Sequence, residues 1–234
     1  MKTTIGVIGA MTEEVTLLRE KLDIVSTKNI LGLDFYVGKL SGHSVVLVRS
    51  GIGKVNAALC VQILVDMFGV DCVINTGVAG AISKQINIGD VVVSDDLVQH
   101  DFDVTTGGTY KQGEIPGMGF VSFAADDTLK TLAVDVGREI LKHETHLGRI
   151  ATGDQFIASM SDKQRIWDNF RAFCVEMEGA AIAQACYLNQ IPFVVIRSIS
   201  DKADESADMS FDKFLTIAAR NSSDVVETMI SRIE

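Results

Sequence analysis

The feature that most constrains this chain is a recurrence of short, unbroken Val/Ile-rich runs with helical patterns between them. Such runs occupy residues 5–8, 45–48, 72–74, 91–93 and 192–199. A strand with one wet face alternates apolar and polar side chains, so near-continuous runs predict strands covered on both faces. Between them, Val15, Leu18 and Leu22 share one helical face, as do Phe214, Ala218, Val225, Met229 and Ile233. Thr12 and Ser210 are the expected N-caps of those two helices, and residues 54–67, 126–143, 161–170 and 178–189 are the other predicted helices. Strands alternating with helices predict an α/β layered fold around a largely parallel sheet. Two prolines, Pro116 and Pro192, and no Ser/Gly/Pro-rich linker predict a single domain over residues 1–234. The stretch 107–119 is Gly-rich without a period and is expected to be a loop.

Charge and cysteine usage narrow the function. Acidic residues outnumber basic ones 31 to 21, for a net charge of −10, and no Lys/Arg cluster forms a phosphate-binding face. Nucleic acid is excluded as the main partner. Cys60, Cys72, Cys174 and Cys186 have no C-x₂₋₄-C spacing and read as small buried hydrophobes. The apolar stretch at residues 5–11 is too short for a signal peptide, and no stretch reaches the length of a membrane span. A cytosolic protein with no membrane association is expected. His43 falls in a strand, His100 precedes Asp101 in a polar loop, and His143 and His146 flank a helix end. No metal-ligand spacing exists, so neither a metal nor another cofactor is expected.

Ligands of such sheets bind beyond the carboxyl ends of the strands, which makes the polar residues there informative. Glu14 lies in the first helical turn after the first strand, either as a dipole-favoured carboxylate or as a site acid. Ser50-Gly51-Ile52-Gly53-Lys54 lacks the spacing of a nucleotide-triphosphate loop and reads as a tight strand-to-helix turn beside a ligand. Small residues in Asn75-Thr76-Gly77-Val78-Ala79-Gly80 permit close approach of a ligand or a helix. Glu176 and Glu178 alternate onto one side of an apolar strand, where burial requires hydrogen-bond donors or a role such as accepting two ribose hydroxyls. Arg197, Ile199 and Asp201 also alternate onto one side, so Asp201 is either an ion-pair partner of Arg197 or a catalytic acid.

Five blocks carry a resemblance: Ile8-Gly9-Ala10-Met11 with Glu13-Glu14-Val15, Ser50-Gly51-Ile52-Gly53-Lys54-Val55, Thr152-Gly153-Asp154, Val175-Glu176-Met177-Glu178 and Ser200-Asp201. In this order they resemble the 5′-methylthioadenosine/S-adenosylhomocysteine nucleosidases of the purine nucleoside phosphorylase-like superfamily, nearly end to end. The resemblance implies a three-layer αβα sandwich with a central mixed sheet, usually a homodimer. It implies hydrolysis of the N-glycosidic bond of methylthioadenosine and adenosylhomocysteine, with 5′-deoxyadenosine as a further substrate, in methionine salvage. Asp201 then looks like the acid that protonates adenine N7, and Glu14 like the base that activates water. Glu178 resembles the ribose-hydroxyl acceptor, with Met177 beside it. Phe156 resembles the residue stacking on adenine, Ile157 a backbone partner of the base, and Gly80 a backbone contact to the ligand. Met11, Ile52, Val104 and Phe211 resemble walls around the sugar and 5′ tail, Arg197 and Ser200 further substrate contacts, and Pro116 a residue lent to the partner subunit. Gly107 departs from an aromatic residue in several relatives, and Val78 from a Ser near the water.

Three other readings compete. Phosphorylases of the superfamily hold phosphate with arginines where this chain has Glu14 and Asn75, and a carboxylate repels a phosphate dianion. A nucleosidase for 6-amino-6-deoxyfutalosine would use the same residues. A non-catalytic nucleoside sensor needs the ribose contact but not Glu14 and Asp201 together.

Overall fold

The computed structural model describes residues 3–204 and 207–233. The chain opens with β1 (Thr4–Gly9), α1 (Thr12–Lys21), β2 (Asp23–Ile30), β3 (Leu33–Leu40) and β4 (His43–Arg49). Helix α2 (Lys54–Phe68) leads to β5 (Cys72–Ala81), β6 (Val91–Gln99) and the short β7 (Ser122–Ala124). Helices and strands then alternate through α3 (Asp127–Ile140), β8 (Thr145–Thr152), α4 (Met160–Phe170) and β9 (Cys174–Glu176). The chain ends with α5 (Gly179–Asn189), β10 (Phe193–Asp201) and α6 (Ala207–Ile230).

The described strands form one sheet in the order β10-β6-β8-β9-β5-β1-β4-β3-β2, with β7 beside β6 and β10 also paired to β5. That last pairing closes β5, β10, β6, β8 and β9 into a ring, and the remaining strands extend from it as an open wing. β4, β1, β5 and β10 lie side by side in parallel, so their carboxyl ends emerge together. The sheet is mixed, with more antiparallel pairing than the apolar runs predict. Two hairpins contribute much of it. Their central residues, Leu31-Gly32 (φ 54° and 76°) and Ser41-Gly42 (φ 51° and 85°), take the left-handed pair of angles that matches strand twist. β2 forms the sheet edge and is exposed along nearly its whole length, so it carries no apolar run.

Both faces of the sheet are covered. α2 and α5 pack Ala57, Val61, Leu64, Ala183 and Cys186 into one core. α1, α3 and α6 pack Leu18, Leu129, Val134, Val226 and Met229 into the other. Each fully buried aliphatic side chain contributes about 1.5–3 kcal/mol relative to exposure. The four cysteines are buried and free. Among the described residues, no helix is long and apolar enough to cross a membrane.

Several local expectations change. The N-cap position of α1 is Met11, and Thr12 is its first helical residue. α6 begins at Ala207, which places Ser210 inside it, and the Ser210 side chain is outside those described. His146 belongs to β8, 3.4 Å from Asp90. His100 sits in the turn after β6 as expected but is fully buried there, and burial lowers its pKa.

Candidate active site

A cavity of about 480 Å³ opens at the carboxyl ends of the parallel strands. Its apolar walls are Met11, Ile52, Val78, Phe156, Val175, Met177 and Phe211. Its ionisable groups are Glu14, Glu176, Glu178 and Asp201, and no Lys, Arg or His is among the described lining residues.

Glu14 arrives from the first turn of α1, where a helix leaves its first amides without partners. Its Oε2 accepts from Ala10 N at 2.6 Å and Met11 N at 2.9 Å. Oε1 accepts from Val78 N on β5 at 3.0 Å. Three backbone donors therefore fix the carboxylate against two strands. Burial pushes its pKa up, against the opposing pull of Arg197 and these amides.

Arg197 on β10 lies fully buried beneath this floor. Its Nη2 hydrogen-bonds Glu176, lies 3.5 Å from Glu178 Oε2, and donates to Asn75 Oδ1 at 2.6 Å. Its Nη1 is 4.0 Å from Glu14 Oε1. One guanidinium thus serves three carboxylates. Burial opposes its charge, but Glu176, Glu178 and Glu14 hold its pKa above the ordinary value. Gly77 makes the approach possible, because a Cβ there would lie 1.9 Å from Arg197 Nη1 and 2.6 Å from Glu14 Oε1. Glu176 also receives the Glu178 and Gly179 amides at 3.0 and 2.8 Å, which caps α5, and the Thr152 hydroxyl. Glu178 Oε1 accepts from Gly53 N at 2.9 Å. Burial pushes Glu178 up to about 8; Arg197 lowers it and Glu176 raises it further.

Asp201 closes β10 in different surroundings. Its Oδ1 accepts from Ala203 N at 2.8 Å and its Oδ2 from Ser200 Oγ at 2.9 Å. It makes no ion pair among the described residues. Burial raises its pKa, and these two hydrogen bonds only partly offset the rise. The ion pair with Arg197 that strand alternation allowed is absent. The β10–β5 register slips between Ile199 and Asp201, and this bulge at Ser200 turns Asp201 off the Arg197 side. Gly80 allows its final position, since a Cβ there would lie 2.6 Å from Asp201 Oδ1.

The structure brings Glu14, Asp201, Gly80, Phe156, Met177, Glu178, Met11, Ile52, Phe211 and Ser200 to one cavity. Ile157 lines an adjoining recess with Phe156 and Asp201. Phe156 and Phe211 meet edge to face with centroids 5.9 Å apart. Two expected contacts lie away from the cavity lining of this chain. Arg197 supports the floor from beneath instead of lining the cavity. Val104 is not among the cavity's lining residues, and Ile115, Met118 and Phe120 of the same segment pack on the α2–α5 core. Pro116 is on the same segment and exposed. Glu176, which the sequence pairs with Glu178 on one side of its strand, lines the cavity, and Asn75, read only as part of a small-residue stretch, holds Arg197. Among the described residues, no group of three or more His, Cys, Asp or Glu side chains is arranged to hold a metal ion.

The phosphorylase superfamily model matches residues 4–231. The 5′-methylthioadenosine/S-adenosylhomocysteine nucleosidase of Tolumonas auensis is 42% identical over 98% of this chain and 99% of its own length. The Neisseria meningitidis nucleosidase of the same name, crystallised with methylthio-immucillin-A, superposes with a TM-score of 0.95 at 42% identity, covering 99% of this chain and 100% of that one. A futalosine hydrolase of Helicobacter pylori superposes with a TM-score of 0.93 at 36% identity, covering 99% and 98%. With a full-length family match and relatives this similar, the chain belongs to the phosphorylase superfamily and, within it, to the 5′-methylthioadenosine/S-adenosylhomocysteine nucleosidases.

Proposed function

We propose that this chain is an N-glycosyl hydrolase that cleaves 5′-methylthioadenosine and S-adenosylhomocysteine to adenine and the 5′-thioribose product. The observation that carries this reading is the charge of the cavity: among the described lining residues the ionisable groups are all carboxylates, and the nearby guanidinium is already engaged by three of them. Such a site suits a neutral nucleoside, a water nucleophile and a cationic sugar in the transition state, and it repels a phosphate dianion.

In this mechanism Glu178 accepts the ribose hydroxyls, while Phe156 and Ile157 hold the adenine. The C1′–N9 bond breaks with its electron pair passing to adenine, and the Asp201 proton moves to N7. Water bonds to C1′ and gives a proton to Glu14. Asp201 leaves the step ionised and Glu14 protonated, and exchange with solvent resets both. The raised Asp201 pKa keeps a proton available, and positioned transfer of this kind contributes about 10²–10⁴-fold. Ser200 orients the Asp201 carboxyl by its hydrogen bond. Met11, Ile52 and Phe211 form an apolar wall that accepts a thioalkyl tail. Arg197 acts through the carboxylates it pairs with.

The chain is proposed to act in the cytoplasm, as one domain, in methionine salvage, with 5′-deoxyadenosine as a further substrate. It is also proposed to form a homodimer that lends Pro116 to the neighbouring site. The packed pair α2 and α5 supports a covered face there, since Val55, Leu59, Tyr187 and Leu188 stand between 46% and 71% exposed. Similarity to the futalosine hydrolase favours a second reading, cleavage of a futalosine-type nucleoside by the same carboxylates. Adenine release from methylthioadenosine, with and without phosphate and with the sugar product identified, tests the proposal. Phosphate-independent formation of free methylthioribose supports it. Strict phosphate dependence with a sugar 1-phosphate overturns it, and release only from the futalosine-type substrate moves the second reading to the front.

A further inference from the structure

The loop between β4 and α2 and the turn after β8 reach the cavity from separate parts of the sheet, and one group of side chains joins them behind its wall. Lys54 Nζ donates to Asp101 Oδ1 at 2.7 Å and to Gln99 Oε1 at 3.2 Å. The other Asp101 oxygen accepts the Asp154 amide at 2.9 Å. Asp154 Oδ1 accepts the Lys54 amide at 2.8 Å. The three residues close a ring, and the Lys54 and Asp101 side chains are only 19% and 15% exposed. Gln99 extends the ring to α5 through Gln184 Oε1 at 2.6 Å.

Each end of the ring touches a part of the site. Gly53, next to Lys54, donates its amide to Glu178 Oε1. Asp154 leads directly into Gln155, Phe156 and Ile157, which line the adjoining recess. None of the three ring residues lines the cavity, so any influence on substrate passes through the backbone they hold. Of the ring's bonds the Lys54–Asp101 pair is shielded, while the two made by Asp154 are exposed; charge-assisted hydrogen bonds are the stronger class and fix direction as well as distance.

We propose that Lys54, Asp101 and Asp154 are positioning residues of the reaction: their ring aligns the Gly53 amide on Glu178, and so the ribose contact, with the start of the Phe156 wall. The inference rests on the reading of Glu178 as the ribose-hydroxyl acceptor. It makes the Lys of the Ser50–Lys54 turn a brace for a carboxylate and not a phosphate ligand.

The test compares kcat/KM for 5′-methylthioadenosine and its 3′-deoxy analogue in Lys54→Met, Lys54→Arg and Glu178→Gln. Lys54→Met is expected to lose about tenfold or more on the parent substrate and less than about threefold on the analogue, with the loss mainly in KM. Lys54→Arg keeps the cation and recovers most of the loss. Equal losses on both substrates, or no loss on either, overturn the proposal. If Glu178→Gln penalises both substrates equally, the ribose reading itself fails, and amide hydrogen exchange then judges the ring. Lys54→Met should speed exchange in residues 51–56 and 153–157 together; a change confined to the first segment overturns the proposal.

Discussion

The carboxylates of this cavity live in two contrasting surroundings. Glu14, Glu176 and Glu178 gather round Arg197 and are pinned by backbone amides from the β1–α1 turn, β5, α5 and the Gly53 turn. Asp201 is equally buried but has no ion-pair partner among the described residues, only a hydroxyl, one amide and the weaker pull of Lys163. The difference separates roles within one residue class. Three acids around one guanidinium form a cluster that accepts hydrogen bonds and protons, with Arg197 opposing the rise that burial imposes on Glu14 and Glu178. A buried acid with no ion-pair partner among the described residues, whose pKa burial raises, keeps its proton and can donate it.

Removing the cation is the harshest way to break this contrast. Arg197→Met leaves three buried carboxylates uncompensated and is expected to destabilise the fold by about 3–5 kcal/mol, read from urea unfolding at neutral pH. A loss under about 1 kcal/mol would show that the cluster does not depend on its arginine. Asp201→Asn tests the other side. It keeps the acceptor for Ala203 N but cannot supply the proton, so kcat should fall about 10²–10⁴-fold with unfolding little changed. Near-normal turnover would remove Asp201 from the mechanism.

Gly80→Ala is gentler, because it adds one methyl 2.6 Å from Asp201 Oδ1 and 3.0 Å from Ala203 Cβ. It should displace the acid and lower kcat about 10–100-fold, while Glu14 and its three amides stay in place. Unchanged kcat would mean that Asp201 tolerates the shift. The smallest effect is on stability against pH. Glu178 rises from 4.5 to about 8 on folding, so the folded state binds the extra proton. Its contribution is complete below the unfolded value and is lost as pH rises through the folded one. Unfolding midpoints should therefore fall from roughly pH 4.5 to pH 8, and less steeply in Glu178→Gln. Equal slopes would place the rise elsewhere.

The same contrast shows what the sequence made legible. β1, β4, β5, β6 and β10 could be read from their apolar runs because both faces of each are covered. The β2–β3 hairpin could not, since its turn is Leu31-Gly32 rather than Asn-Gly and β2 is an exposed edge. Glu14, Glu178 and Asp201 stood out by their places at strand ends. The partners of Arg197 did not, because strict alternation puts it beside Asp201 and only the bulge at Ser200 separates them. The place of Val104 could not be read either, because a loop without a period gives no direction; Ile115, Met118 and Phe120 of this loop pack against the core.

The division into an accepting and a donating side is tested most directly with a substrate whose leaving group needs no proton, such as the 4-nitrophenyl glycoside of 5-methylthioribose. Turnover of this compound and of methylthioadenosine would be measured in Asp201→Asn and Glu14→Gln. The account predicts that Asp201→Asn fails on methylthioadenosine but cleaves the nitrophenyl glycoside at close to the unmodified rate, while Glu14→Gln is slow on both. Asp201→Asn slow on both substrates would contradict it.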